Sequence, residues 1–133
     1  MILALILSAF SLPSVSVAEH APLTTPVLSV TNLKRNLVAI FRVDGCTPGR
    51  SVGLFVSLTG SGPTTVTTGP CGQIGLDLTP RLFYIGTTNA NGSGVALFTQ
   101  PIPAGAGGRT VYSQAVDYYP CSVSNLLVAV VAN

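Results

Sequence analysis

The chain has 133 residues, of which 47% are hydrophobic and only 8% are charged, and its formal net charge is +2. Disordered chains combine low hydrophobicity with high net charge, so this composition excludes extensive disorder. The low charge and the abundance of Gly, Pro, Ser and Thr are typical of a β-rich extracellular domain with hydroxyl-bearing surfaces. The six basic residues are scattered, with one adjacent pair at Lys34 and Arg35. Nucleic-acid binding requires a basic patch and is therefore not expected.

The N-terminus has the pattern of a secretory signal peptide. Residues 2–12 form an apolar run, Pro13 ends it, and Ser16-Val17-Ala18 supplies the small residues of a cleavage site, although no Lys or Arg precedes the run. A membrane-spanning helix needs about 20 apolar residues, and this run is shorter. We expect residues 1–18 to be removed, the protein to be secreted (extracellular, cell surface or periplasm), and no stable membrane insertion after cleavage.

Beyond the signal peptide, residues 19–26 read as an extended leader and residues 27–133 as a single domain, large enough for one hydrophobic core. Breaker-free runs rich in β-branched and aromatic residues predict eight strands. These are residues 27–31, 37–43, 51–58, 74–78, 82–88, 95–99, 110–116 and 126–131. The pattern predicts an all-β, antiparallel Ig-like or Greek-key β-sandwich of about seven to eight strands.

Some of these strands carry more specific expectations. Apolar residues on both faces of 37–43 suggest a strand covered on both sides, whereas 51–58 alternates and should be half-buried, with Phe55 as the exception. Residues 59–72 read as a long loop, and the Asn-Gly turn at Asn91 predicts a hairpin between 82–88 and 95–99. The run 110–116, bounded by glycines and Pro120, predicts a strand deep in a sheet.

The chain has few residues that could form a catalytic site. A hydroxyl or thiol nucleophile needs a neighbouring base, and the single histidine, His20, lies on the leader, where it could not be held in the required orientation. Asp44, Asp77 and Asp117 are far apart in sequence and lie in or beside turns, where carboxylates usually bond the backbone. We therefore expect no enzyme. A small hydrolase remains an alternative, and its activity would depend on His20.

Metal and cofactor sites are not expected either. Asn89, Asn91 and Ser93 have the spacing of the first ligands of a calcium loop, but the loop contains no carboxylate, and calcium affinity depends on ligand charge. A plain turn is the better interpretation. The three cysteines and His20 do not form the paired spacing of a zinc site.

Tyrosines are the candidates for a binding surface, because the chain has no Trp. The candidates are Tyr84, Tyr112, Tyr118 and Tyr119. Of these, Tyr118 and Tyr119 are predicted to lie in a loop and are possible ligand contacts for a carbohydrate. The alternative is that one ring caps the core while the other packs beside a disulfide. Cys46, Cys71 and Cys121 allow three single pairings in an oxidising compartment, each leaving one thiol.

Several stretches together resemble a group of uncharacterised secreted modules of bacteria, often C-terminal β-sandwich modules of longer exported proteins. The strongest are Val-Tyr-x-Gln-Ala-Val-Asp at 111–117 and Cys-x-Val-Ser-Asn at 121–125. The resemblance implies a disulfide between Cys71 and Cys121, closing a loop of about 50 residues worth about 4 kcal/mol. It leaves Cys46 as a free thiol, either a small buried hydrophobic residue or an intermolecular tie.

The group has no activity that could be carried over. We therefore expect a secreted, non-enzymatic structural or interaction module at the cell surface or in the extracellular space. Its partner would be an unknown protein or an envelope polysaccharide. The alternative is a carbohydrate-binding β-sandwich that uses Tyr118 and Tyr119.

Overall fold

The structure is a computed structural model and describes residues 25–133, so the predicted signal peptide and most of the predicted leader, including His20, lie outside the described residues. The described chain forms ten strands: β1 (Val27–Thr31), β2 (Val38–Asp44), β3 (Ser51–Ser57), β4 (Thr64–Thr68), β5 (Gly72–Leu76), β6 (Leu82–Asn89), β7 (Ala96–Pro101), β8 (Thr110–Asp117), β9 (Ser122–Val123) and β10 (Leu127–Val130). A 3-10 turn, Ala104–Ala106, connects β7 to β8. Within this part of the chain no helix has the length and apolarity to cross a membrane.

The strands form two main antiparallel sheets and one hairpin. The first sheet has the order β1-β2-β7, the second has the order β10-β8-β3-β6 with β9 added to β8, and β4 pairs with β5. The chain changes sheets after β2, β6 and β7, which is the Greek-key connectivity of an Ig-like sandwich. The predicted all-β antiparallel sandwich is confirmed, with two strands more than expected, β4 and β9.

The main core lies between the two sheets. Ala39, Phe41 and Val43 of β2 point into it and are buried, whereas Val38 and Arg42 on the opposite face of β2 are exposed. The prediction that this strand is covered on both sides is therefore wrong. Within the part of the chain that the structure describes, no further layer packs on the outer face of the three-stranded sheet, so apolar residues such as Val38 remain exposed.

The central strands of the second sheet, β3 and β8, are buried on both faces. The prediction of a strand deep in a sheet at 110–116 is confirmed, whereas the prediction that 51–58 is half-buried is wrong. Residues such as Leu54 face the main core, and Phe55 on the opposite face belongs to a second apolar cluster. The β4–β5 hairpin supplies the residues that cover this outer face.

The predicted hairpin between β6 and β7 is also wrong, because β6 pairs with β3 and β7 pairs with β2. The turn around Asn91 does form, with Gly94 donating to the Asn91 carbonyl at 3.0 Å. However, it packs against the β2–β3 loop, where Cys46 donates to the Gly94 carbonyl at 2.9 Å. A Cβ at Gly94 would lie 2.5 Å from the Cys46 carbonyl oxygen, so only glycine allows this crossing between sheets.

Candidate functional site

The β4–β5 hairpin forms a third layer on the outer face of the five-stranded sheet. Ile74, Leu76 and Leu78 are buried against Phe55 and Val116, which point outward from β3 and β8. Because β3 and β8 carry apolar side chains on both faces, the sheet needs a cover on this side as well. The hairpin is that cover, and its position creates a groove beside it.

A disulfide fixes the end of the hairpin to the sheet. Cys71, in the turn between β4 and β5, is bonded to Cys121, four residues beyond the end of β8, with the two Cα atoms 5.8 Å apart. This is the pair that the resemblance implies. The bridge attaches the tip of the hairpin to the loop that follows the central strand, so the tip cannot swing away from the sheet without breaking a covalent bond.

The groove lies between this hairpin and the outer face of the sheet and has a volume of about 490 Å³. Its lining combines hydroxyl-bearing side chains, aromatic rings and the glycine-proline turn of the hairpin: Ser51, Phe55, Thr67, Thr68, Gly69, Pro70, Tyr84, Thr87 and Tyr118. None of these residues carries a charge at neutral pH. The groove therefore offers hydrogen-bonding groups and aromatic surface without an electrostatic preference for an ion.

Tyr118 and Tyr84 form the aromatic part of the groove. Tyr118 is only 7% exposed, whereas Tyr84 on the edge strand β6 is 52% exposed. The Tyr84 ring lies 5.1 Å from that of Phe55 at an interplanar angle of 44°. Burial, followed by the nearby Tyr84 hydroxyl, raises the pKa of Tyr118 to about 12. The Tyr118 hydroxyl therefore stays protonated at neutral pH and can donate a hydrogen bond.

The two tyrosines singled out from the sequence do not form one exposed platform. Tyr118 lies on the floor of the groove, with its ring over Gly53 of β3. Tyr119 is 51% exposed, does not line the groove, and has the guanidinium carbon of Arg50 4.3 Å from its ring centroid. Of the two, Tyr118 alone contributes to the groove. The exposed ring beside it is Tyr84, a candidate that the sequence places on a strand and therefore ranks below the loop tyrosines.

Cys46 and Asp117 lie in the interior and interact with neighbouring backbone. Cys46 is 6% exposed and unpaired, and its thiol faces the Val43 carbonyl at 3.7 Å. Burial, then the negative charges of Asp117 and Asp44, raise the pKa of Cys46 to about 12. A buried thiol with a high pKa is a poor nucleophile at neutral pH.

The three aspartates have different surroundings. Asp117 accepts hydrogen bonds from the Thr47 amide at 2.9 Å and the Tyr119 amide at 3.1 Å. Asp44 pairs with Arg42, which donates to it from Nη2 at 2.9 Å, and this hydrogen bond raises the pKa of Arg42. Asp77 is exposed. Within residues 25–133 no three His, Cys, Asp or Glu residues come together in a group that could hold a metal.

Asn91 makes local hydrogen bonds within its turn. Its side-chain oxygen accepts hydrogen bonds from the Ser93 amide at 2.8 Å and the Val95 amide at 3.0 Å. The side-chain oxygen of Asn91 thus closes the turn.

The polar residues of the two sequence runs that carry the resemblance act within the fold. Gln114 accepts from the Asp77 amide at 2.6 Å and donates to the Ser124 carbonyl at 3.2 Å. Asn125 accepts from the Leu28 amide at 2.8 Å and donates to the Leu28 carbonyl at 3.3 Å, which joins β1 of the first sheet to the second. The polar residues of these two runs therefore stabilise the sandwich, and the runs lie mostly outside the groove.

Comparison with protein-family models and with curated proteins finds no match for this chain.

Proposed function

We propose that this protein is a secreted, non-enzymatic interaction module that binds its partner through the groove beside the β4–β5 hairpin. The observation that carries the proposal is the groove itself. It combines an exposed aromatic ring, Tyr84, with a row of hydroxyl groups, and its hairpin wall is tied to the sheet by the Cys71–Cys121 disulfide. Because the disulfide holds this wall in place before binding, less conformational entropy is lost when a partner binds.

Secretion is supported by the signal-peptide pattern and by the disulfide, since such bonds persist in oxidising compartments. The intact mass of the exported protein tests this part. We expect a mature chain that begins at Glu19 and carries one bridge and one thiol. A chain found inside the cell with all three cysteines reduced would contradict it.

A carbohydrate is the second, more specific candidate for the partner, and the chemistry of the groove favours it. Sugar rings pack their apolar faces on aromatic side chains and direct hydroxyls to polar groups around them. Tyr84 supplies an exposed ring, and Ser51, Thr67, Thr68 and Thr87 supply hydroxyls nearby. Because no lining residue is charged, the ligand would be a neutral polysaccharide rather than an acidic one.

Affinity electrophoresis in gels that contain neutral polysaccharides tests this candidate. We expect retarded migration of the wild type with at least one polymer, and no retardation of Tyr84→Ala. Tyr119→Ala is the matched control, because it removes an equally exposed tyrosine outside the groove and should remain retarded. If neither the wild type nor the variants are retarded by any polymer, the hypothesis of a carbohydrate ligand is wrong. If Tyr119→Ala alone loses retardation, the groove is not the site.

A further inference from the structure

A separate, almost wholly apolar cavity lies on the other side of the five-stranded sheet, between the two sheets of the sandwich. Its volume is about 350 Å³. It lies between Phe41 of β2 and Val56, Ile85 and Val111 of β3, β6 and β8, and the 3-10 turn at Ala106 borders it. Of its fourteen lining residues only Gln100 and Arg109 have polar side chains. This space is distinct from the groove, which the outer face of the sheet lines.

The cavity opens to solvent past apolar and basic side chains. Phe83 on the edge strand β6 lines it and is 58% exposed, and Leu58 is 37% exposed. Arg109, just before β8, lines the cavity and is itself exposed. Within residues 25–133, one ion pair forms, between Arg42 and Asp44. None of the carboxylate side chains of these residues lies within ion-pair distance of Arg109. Arg109 is thus the one charged residue among those that line the cavity.

We propose that this cavity binds a free medium-chain fatty acid, with the alkyl chain between the sheets and the carboxylate at Arg109. An apolar space of this size is close to the lower end of small-molecule sites, about 300–1,000 Å³. It suits a single unbranched chain. The apolar lining offers no partner for a polar group inside, whereas an arginine presents a fork of donors that matches a carboxylate. The site goes beyond the proposed function, since neither its lining nor its ligand is shared with the groove.

Calorimetric titration with octanoate, nonanoate and decanoate, each below its micellar concentration, tests the alkyl part. Each buried methylene contributes about 0.8 kcal/mol, so Kd should fall about fourfold with each added carbon. A Kd that does not depend on chain length, or no heat of binding with any of the three acids, would overturn the proposal.

Removing the positive charge of Arg109 tests its role in binding the carboxylate. Arg109→Gln should weaken decanoate binding by about fivefold, because an exposed ion pair contributes at most about 1 kcal/mol. The same substitution should leave the binding of decanol unchanged, since decanol has no charge. Arg81→Gln is the matched control, because it removes the same charge from an exposed arginine that does not line the cavity. Equal weakening by the two substitutions would show a general charge effect and would contradict a carboxylate site at Arg109.

Filling the cavity gives an independent test. Ala106→Phe should abolish binding of decanoate and decanol alike, whereas Ala104→Phe, an exposed position on the same turn, should not. Thermal unfolding of both variants establishes that they are folded, and the chain-length series on the wild type does not depend on them. If no fatty acid binds and sedimentation shows a dimer that Ala106→Phe dissociates, a second copy of the chain covers the opening and the proposal is overturned.

Discussion

The hydroxyl end of the Tyr118 ring lies over Gly53 of β3. Beside it, the amide of Tyr118, one residue past the end of β8, donates to the Ser51 carbonyl of β3 at 3.1 Å. A Cβ at Gly53 would lie 2.9 Å from Cζ of Tyr118 and closer still to its hydroxyl oxygen. Glycine at this position of a central strand therefore leaves room for the tyrosine to pack against the sheet and to form the floor of the groove.

The first prediction concerns this contact. Gly53→Ala should lower the free energy of unfolding by about 1–3 kcal/mol, because the added methyl overpacks the Tyr118 ring. Denaturant unfolding measures it. Gly75→Ala is the control, since it adds the same methyl to strand β5 where no atom lies within 4 Å. Equal stability of Gly53→Ala and wild type would mean that Tyr118 does not pack where the structure places it.

The disulfide is expected to stabilise the hairpin and the whole domain. Replacing Cys71 and Cys121 together by Ser should lower the free energy of unfolding by about 4 kcal/mol in the chain-entropy model for a loop of about 50 residues. Hydrogen exchange should accelerate first in β4 and β5, because the bridge attaches their turn to the sheet. Unchanged protection of β4 and β5 in the double variant would show that the apolar cluster alone holds the hairpin.

Asp117 is expected to be a structural carboxylate. Asp117→Ala leaves the part-buried Thr47 and Tyr119 amides without their charged acceptor, and a hydrogen bond to a charged group contributes about 1.5–3 kcal/mol. The free energy of unfolding, measured in denaturant, should therefore fall by about 3 kcal/mol. Asp77→Ala, at an exposed carboxylate, should stay within about 0.5 kcal/mol of wild type. Similar values for the two variants would contradict this role of Asp117.

The buried thiol predicts a loss of stability at alkaline pH. The pKa of Cys46 is about 12 in the folded protein and about 8.5 in an unfolded chain, so above pH 8.5 the unfolded state releases the proton first. The stabilising contribution is complete below pH 8.5 and is lost as the pH rises toward 12. Tyr118 adds a similar loss that begins only above about pH 10, its unfolded value.

The window between pH 8.5 and pH 10 isolates Cys46. Urea unfolding across this window, with the bridge checked by mass afterwards, should show wild-type stability falling more steeply than that of Cys46→Ala, which has no ionisable group there. Parallel curves for the two proteins would mean that the thiol is not buried.

The sequence is sufficient to predict the sandwich because its strands follow from local patterns. The run 110–116 has no breaker and apolar residues on both faces, and it is indeed the central strand. The third layer is harder to predict. Thr64–Thr68 is polar and flanked by Gly-Pro pairs, so it resembles a loop, and it becomes a strand only because it pairs with Gly72–Leu76. Phe55, the exception in an alternating strand, was the signal for a covered outer face.

The groove could not be assembled from the sequence because its members depend on register and layer order. Tyr84 lies beside Phe55 because of an irregularity in the pairing of β3 with β6 between Leu54 and Phe55. A one-residue shift in pairing reverses which face a side chain occupies, and no local pattern predicts such a shift. Tyr118 and Tyr119 are adjacent in sequence, but both lie in the turn that follows β8. This turn places Tyr118 against β3 and leaves Tyr119 exposed beside Arg50.

The most direct test of the account is a set of amide chemical-shift spectra of the labelled protein, recorded while a neutral oligosaccharide or polysaccharide fragment is added. The proposed interaction module predicts shifts confined to the groove, at Thr67, Thr68, Tyr84 and Thr87, that disappear in Tyr84→Ala, with the added sugar remaining intact. No shift with any neutral saccharide, or shifts centred on Tyr119, would contradict the groove as the binding surface, and cleavage of the sugar would contradict a non-enzymatic role.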